Sequence, residues 1–89
     1  MKITIEELQE YLFDHYKNGG IDQSLFMKLV EEIGEVAEVL NKKAGRKSVG
    51  QEDLQTQLGN ELADVVHYTI AIAALNGIDM NDIILSKDK

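Results

Sequence analysis

At 89 residues the chain is long enough for one domain, and short enough that its core alone is thin. Nine Lys and Arg stand against sixteen Asp and Glu, a formal net charge of -7 that repels nucleic-acid backbones and argues against DNA or RNA as a partner. The absence of cysteine excludes disulfides and thiolate metal sites. No apolar run approaches the ~20 residues of a membrane span, and Met1-Lys2-Ile3-Thr4 leads into an acidic helical pattern rather than a secretory signal. A soluble cytoplasmic protein is expected.

With no proline and 44% hydrophobic residues, the chain reads as all-α. The expected architecture is one domain over 1–89, an antiparallel bundle of three main helices plus a short C-terminal one. The first helix spans Ile5 to Tyr16, with Thr4 as cap, Glu7 completing a capping box, and Leu8, Tyr11, Leu12 and Tyr16 as its apolar stripe. Asn18-Gly19-Gly20 stops it. The second starts at Asp22 or Ser24, either of which can cap, and ends near Lys43. Its apolar arc holds Leu25, Phe26, Leu29, Val30, Ile33, Val36, Ala37 and Leu40.

After the loop Ala44–Gly50, the third helix is expected over Gln51 to Leu75, closed by Asn76-Gly77. Leu54, Leu58, Leu62, Val65, Val66, Thr69, Ile72 and Ala73 are assigned to its buried face. Asp79 can cap a last helix from Met80 to about Ser86.

Helices two and three repeat one unit at an offset of 29 residues. Leu29 matches Leu58, Glu32 matches Glu61, Gly34 matches Ala63, and Glu35 matches Asp64. In each copy two carboxylates are spaced i, i+3 and so lie one turn apart on one helix face. Glu32 and Glu61 border the apolar arc, where a carboxylate must be compensated. Lys28, one turn before Glu32, is the near cationic candidate. Facing acids raise each other's pKa unless a cation intervenes, and four hard oxygen donors in a small volume suit Mg²⁺. Gly34 and Ala63 are expected to let the two backbones approach, because glycine inside a helix costs about 1 kcal/mol relative to alanine and should have a packing reason.

These residues resemble the MazG-like branch of the all-α nucleotide pyrophosphohydrolases, which carries an E-x-x-E and an E-x-x-D pair on consecutive helices. Glu32 and Glu35 fit the first, Glu61 and Asp64 the second. The surrounding stretches Lys28-Leu29-Val30-Glu31-Glu32-Ile33-Gly34-Glu35 and Asn60-Glu61-Leu62-Ala63-Asp64-Val65-Val66 are similar to the family's too. The resemblance runs from helix one to Asp79. It implies hydrolysis of a nucleoside triphosphate between its α- and β-phosphates, to a monophosphate and pyrophosphate. It further implies dependence on Mg²⁺ (or Mn²⁺), the four acids as metal ligands, and a homodimer or homotetramer. Glu32 or Glu35 would position or deprotonate the attacking water.

Many members end in a longer basic tail that holds phosphates; here only Lys87 or Lys89 stands in that place. Lys42, Lys43, Arg46 and Lys47 make the loop basic, as a solvated surface or as a phosphate contact across a subunit boundary. Tyr68, one turn after Asp64, can donate its hydroxyl to a phosphate or an acid, or serve as a core-edge tyrosine. His67 is expected to face away from the carboxylate edge as a surface or interface residue, and the aromatic group of Tyr11, Phe13, His15 and Tyr16 to serve core packing rather than base stacking. Two other readings stay open: phosphoribosyl-ATP pyrophosphatase, which shares the general fold, and a helical interaction module or catalytically inactive relative.

Overall fold

The computed structural model describes residues 2–19, 22–45 and 53–87. They form four helices: α1 (Ile5–Tyr16), α2 (Asp22–Lys43), α3 (Leu54–Leu75) and α4 (Met80–Lys87). The frame is a long hairpin of α2 and α3, with α1 laid on α3 and α4 on α1. All-α is the fold, as expected. Gln51, Glu52 and the basic pair Arg46 and Lys47 lie outside the described residues.

Local chemistry sets the helix ends. Thr4 Oγ1 accepts from the Glu7 backbone N–H, and Glu7 Oε1 accepts from the Thr4 N–H, each at 3.0 Å, so two orphan donors are satisfied reciprocally. α3 starts at Leu54, with Asp53 as its cap. The Asp53 carboxylate accepts from the Thr56 N–H and from the Thr56 hydroxyl. Ser24 sits inside α2, which begins at Asp22 among the described residues. At the end of α3, Gly77 takes φ +67°, while the Ile78 N–H reaches Ala73 O and the Gly77 N–H reaches Ala74 O. Only glycine adopts that left-handed turn without strain. Asp79 Oδ1 then accepts from the Asn81 N–H and caps α4.

Gln9 supplies a link that periodicity does not announce. Its amide donates to Ile78 O at 2.7 Å and accepts from the Met80 N–H at 2.9 Å, pinning the α3–α4 turn to α1.

The core lies where α1 crosses the hairpin. Leu12, Leu25, Ile70 and Ala71 form it, with Leu8, Tyr16, Tyr68, Ile72, Leu75 and Met80 packed around them. Burying a leucine such as Leu12 contributes about 2–3 kcal/mol. Away from α1, the expected burial fails. Phe26, Val30, Ile33 and Leu40 of α2, and Leu62 and Val66 of α3, are exposed. Leu25 of α2 and Ala73 of α3 are buried as expected, and with them Val39 of α2 and Ile70, Ala71 and Ala74 of α3, which the arcs had not included. The sequence arc spans two neighbouring helix faces, of which the hairpin covers one.

Candidate metal centre

The hairpin register is antiparallel. Asn76 Nδ2 of α3 donates to Asp22 of α2 at 3.0 Å near one end, and Lys43 Nζ donates to Gln55 Oε1 at 3.0 Å at the other. Midway between these ties, Glu32 comes opposite Glu61 and Asp64. One carboxylate oxygen from each of the three lies within 4.8 Å of the others. Glu32 and Glu61 are half-buried; Asp64 is exposed at the rim. Glu35 is exposed and stands beside Glu61.

Electrostatics follow from that crowding. Glu32 Oε2 and Glu61 Oε2 are buried and have no hydrogen-bond partner. Ionised carboxylates only accept, so the pair can bond to each other only by keeping a proton. The Glu35 carboxylate first, then Glu32, then burial push Glu61 up to about 7. Protons or cations must therefore supply what the neighbours lack. Lys28 does not: it pairs with Glu31 at 3.5 Å on the exposed face of α2. The donor set is all hard carboxylate oxygen with orphaned buried acceptors, which fits a divalent cation of the Mg²⁺ or Ca²⁺ type.

The small residues between the acids have another setting than expected. Gly34 and Ala63 are exposed, and a Cβ built on Gly34 meets nothing within 4 Å. The acids approach through the Glu32–Glu61 edge of the helices, and Gly34 lies off that edge.

Tyr68 packs against the core cluster and meets the His67 ring edge-on at 4.8 Å. His67 is half-buried against α1 rather than at the surface: its Nε2 is 2.7 Å from Tyr16 Oη. Burial first, then Tyr68 and Tyr11, raise the Tyr16 pKa, so its hydroxyl keeps its proton. The expected aromatic core on α1 is only partly one. Tyr16 is half-buried, whereas Tyr11, Phe13 and His15 are exposed, His15 stacking on Tyr11. Lys87 is exposed in the last turn of α4. A concavity of about 460 Å³ between α1 and α4, lined by Glu6, Gln9, Glu10, Ile78, Asp79 and Asp82 among others, contains none of the four acids.

Fold and site together define a helical-hairpin protein with a carboxylate centre built from two facing helices. The chain belongs to a known family of that class: residues 21–89 match the model of the MazG nucleotide pyrophosphohydrolase domain. The match begins at α2, so α1 lies outside it. No curated protein matches the chain. Among the described residues, no helix is long and apolar enough to cross a membrane.

Proposed function

We propose that the chain is a Mg²⁺-dependent nucleoside triphosphate pyrophosphohydrolase, with Mn²⁺ as an alternative ion, built as a single domain over 1–89. It would act in the cytoplasm as a homodimer or homotetramer, without nucleic acid or membrane as partner. The observation that carries the reading is the pair of buried, partnerless oxygens on Glu32 and Glu61, set in a MazG domain. Glu32, Glu35, Glu61 and Asp64 would hold the ion. A bound divalent ion lets a polyphosphate approach these acids and offsets charge developing on its oxygens.

The chain's own groups have separable tasks. Water attacks the α-phosphorus in line, the bond to the β-phosphate's bridging oxygen breaks, and pyrophosphate leaves. The water's proton passes to a carboxylate, Glu32 or Glu35. Exposure beside Glu61 and absence from the tight three-oxygen group favour Glu35. Lys28 and Lys87 are the cations proposed for the phosphates. The Lys28–Glu31 pair is solvent-exposed and therefore weak, so Lys28 exchanges partners readily. Tyr68, one turn beyond Asp64, is proposed to contact the substrate with its hydroxyl.

Pyrophosphate release from a panel of triphosphates, with Mg²⁺ and with chelator, tests the reading. Turnover of at least one triphosphate, lost in Glu32→Gln and in Asp64→Asn, is expected. Turnover confined to phosphoribosyl-ATP would move the assignment to that enzyme. No turnover of any nucleotide, with folded protein throughout, would leave the helical interaction module.

A further inference from the structure

The acid centre opens to one side of the α2/α3 hairpin, and that side runs in two unlike directions. Glu35 and Asp64 each follow an inward acid, Glu32 or Glu61, by three residues. At about 100° per residue they hold equal wheel positions on antiparallel helices, so both emerge on the same side. One direction is closed by α1. Ala71, seven residues after Asp64 and so within about 20° of its line, is fully buried in the cluster around Leu12 of α1. The last residue of α1, Tyr16, holds His67, one turn beyond Asp64, at 2.7 Å.

The other direction leads to the hairpin tip and changes sign. Lys42 stands seven residues after Glu35, on the same line of α2 and about 10 Å along its axis. Past Glu35, α2 carries one acid, Glu38, against Lys42 and Lys43, and α3 before Glu61 carries none. The cap Asp53 has both carboxylate oxygens turned on Thr56. Lys43 is tied across the hairpin to Gln55 at 3.0 Å, and Lys42 is the ammonium on the centre's side. Toward α1, Asp14, Asp22 and Glu31 outnumber Lys17 and Lys28. Both of those lysines are paired, with Asp14 at 3.4 Å and with Glu31 at 3.5 Å.

We infer that a bound nucleoside triphosphate lies along this side with one polarity: its pyrophosphate end toward the hairpin tip, held by the Lys42 ammonium, and its nucleoside toward the end of α1. The inference rests on the pyrophosphohydrolase reading above and adds to it the residue that receives the leaving group.

Charge decides the polarity. When the bond from the α-phosphorus to the bridging oxygen breaks, that oxygen keeps the electron pair and departs with the β- and γ-phosphates. The departing half is thus the more anionic. A cation on that half offsets charge that grows during the step, and so acts on the barrier as well as on binding. The monophosphate half has less charge to offset, and Lys28 is left to it. Laid the other way, the pyrophosphate would run toward Glu31 and Asp22 in a chain of net charge -7. Distance agrees: a lysine's four-carbon stem and the two phosphates of a leaving group cover about 10 Å between them.

Isothermal titration in the presence of Mn²⁺ tests this with the two products, inorganic pyrophosphate and a panel of ribo- and deoxyribonucleoside 5′-monophosphates. Lys42→Gln should weaken pyrophosphate binding ~10-fold or more, the effect of losing a hydrogen bond between charged groups. It should leave the best-bound monophosphate unchanged. Lys42→Arg should recover most of the loss, which damage to the helix would not allow. Lys2→Gln, at the start of the chain, should move neither product. In turnover, Lys42→Gln should raise the inhibition constant of pyrophosphate and not that of the monophosphate. An unmoved pyrophosphate affinity, or a monophosphate weakened as much or more, overturns the polarity and leaves the hydrolase reading standing. A wild type that binds neither product and turns over no triphosphate overturns both.

Discussion

Glu61 is where sequence position becomes chemistry. Its ordinary value is 4.5, and the fold pushes it up to about 7 by setting it against Glu35 and Glu32 and burying it. Between those two values the folded chain keeps a proton that the unfolded chain has lost. Unfolding therefore releases a proton, and raising the pH from 4.5 to 7 lowers stability in metal-free buffer, with no further loss above. Glu61→Gln should flatten that slope and raise the melting temperature at pH 8; an unchanged slope would contradict the crowding. Asp53 runs the other way, its carboxyl held below the usual range by hydrogen bonds from the Thr56 hydroxyl and backbone. Its contribution is present above the ordinary carboxylate range and is lost as pH falls through the lowered value. Gly34 gives a cleaner residue-level test. With open space where its Cβ would stand, Gly34→Ala should stabilise the helix by about 1 kcal/mol. Chemical denaturation reads this directly, and a loss of stability would reveal a close approach at that position.

At the scale of elements, the ends of helices were legible because they are written in local chemistry. Thr4 with Glu7, Asn76-Gly77 and Asp79 each act within a few residues, and each was readable from the letters alone. The acids of α2 and α3 stood out as matched pairs through their shared offset of 29, but the antiparallel register that gathers Glu32, Glu61 and Asp64 was not written in that offset. Burial was not legible either. Periodicity gives the width of an apolar arc but not which part another helix covers, so Ile33 and Leu62 were grouped with residues that pack. The tie from Gln9 to Ile78 and Met80 was equally hidden, since it joins residues about 70 apart with no motif. The contact that half-buries His67 was hidden for the same reason: its partner, Tyr16, lies 51 residues away. Leu12 is the residue on which helix packing turns, as the one large side chain fully buried among the described residues. Leu12→Ala should cost about 2–5 kcal/mol, read from the shift in urea midpoint. A cost under ~1 kcal/mol would mean that α1 is not docked on α3.

For the whole molecule, a thin core and a crowded carboxylate centre have one consequence in common: stability should depend on what binds. A ligand taken only by the folded state stabilises it by mass action. Millimolar Mg²⁺ or Mn²⁺ should therefore raise the melting temperature of the wild type, and the shift should grow from pH 6 to pH 8 as Glu61 gives up its proton. A variant with all four acids changed to amides should melt higher than wild type without metal and show no shift with it. Association into the proposed homo-oligomer would add a dependence on protein concentration, separable because it persists in chelator.

Isothermal titration of Mn²⁺ into the full chain reaches the central claim most directly. Saturable uptake is expected in the wild type, with proton release near pH 7, and neither uptake nor release in the double variant Glu32→Gln, Glu61→Gln. Equal uptake by both proteins, or none by the wild type, would contradict a cation centre between α2 and α3.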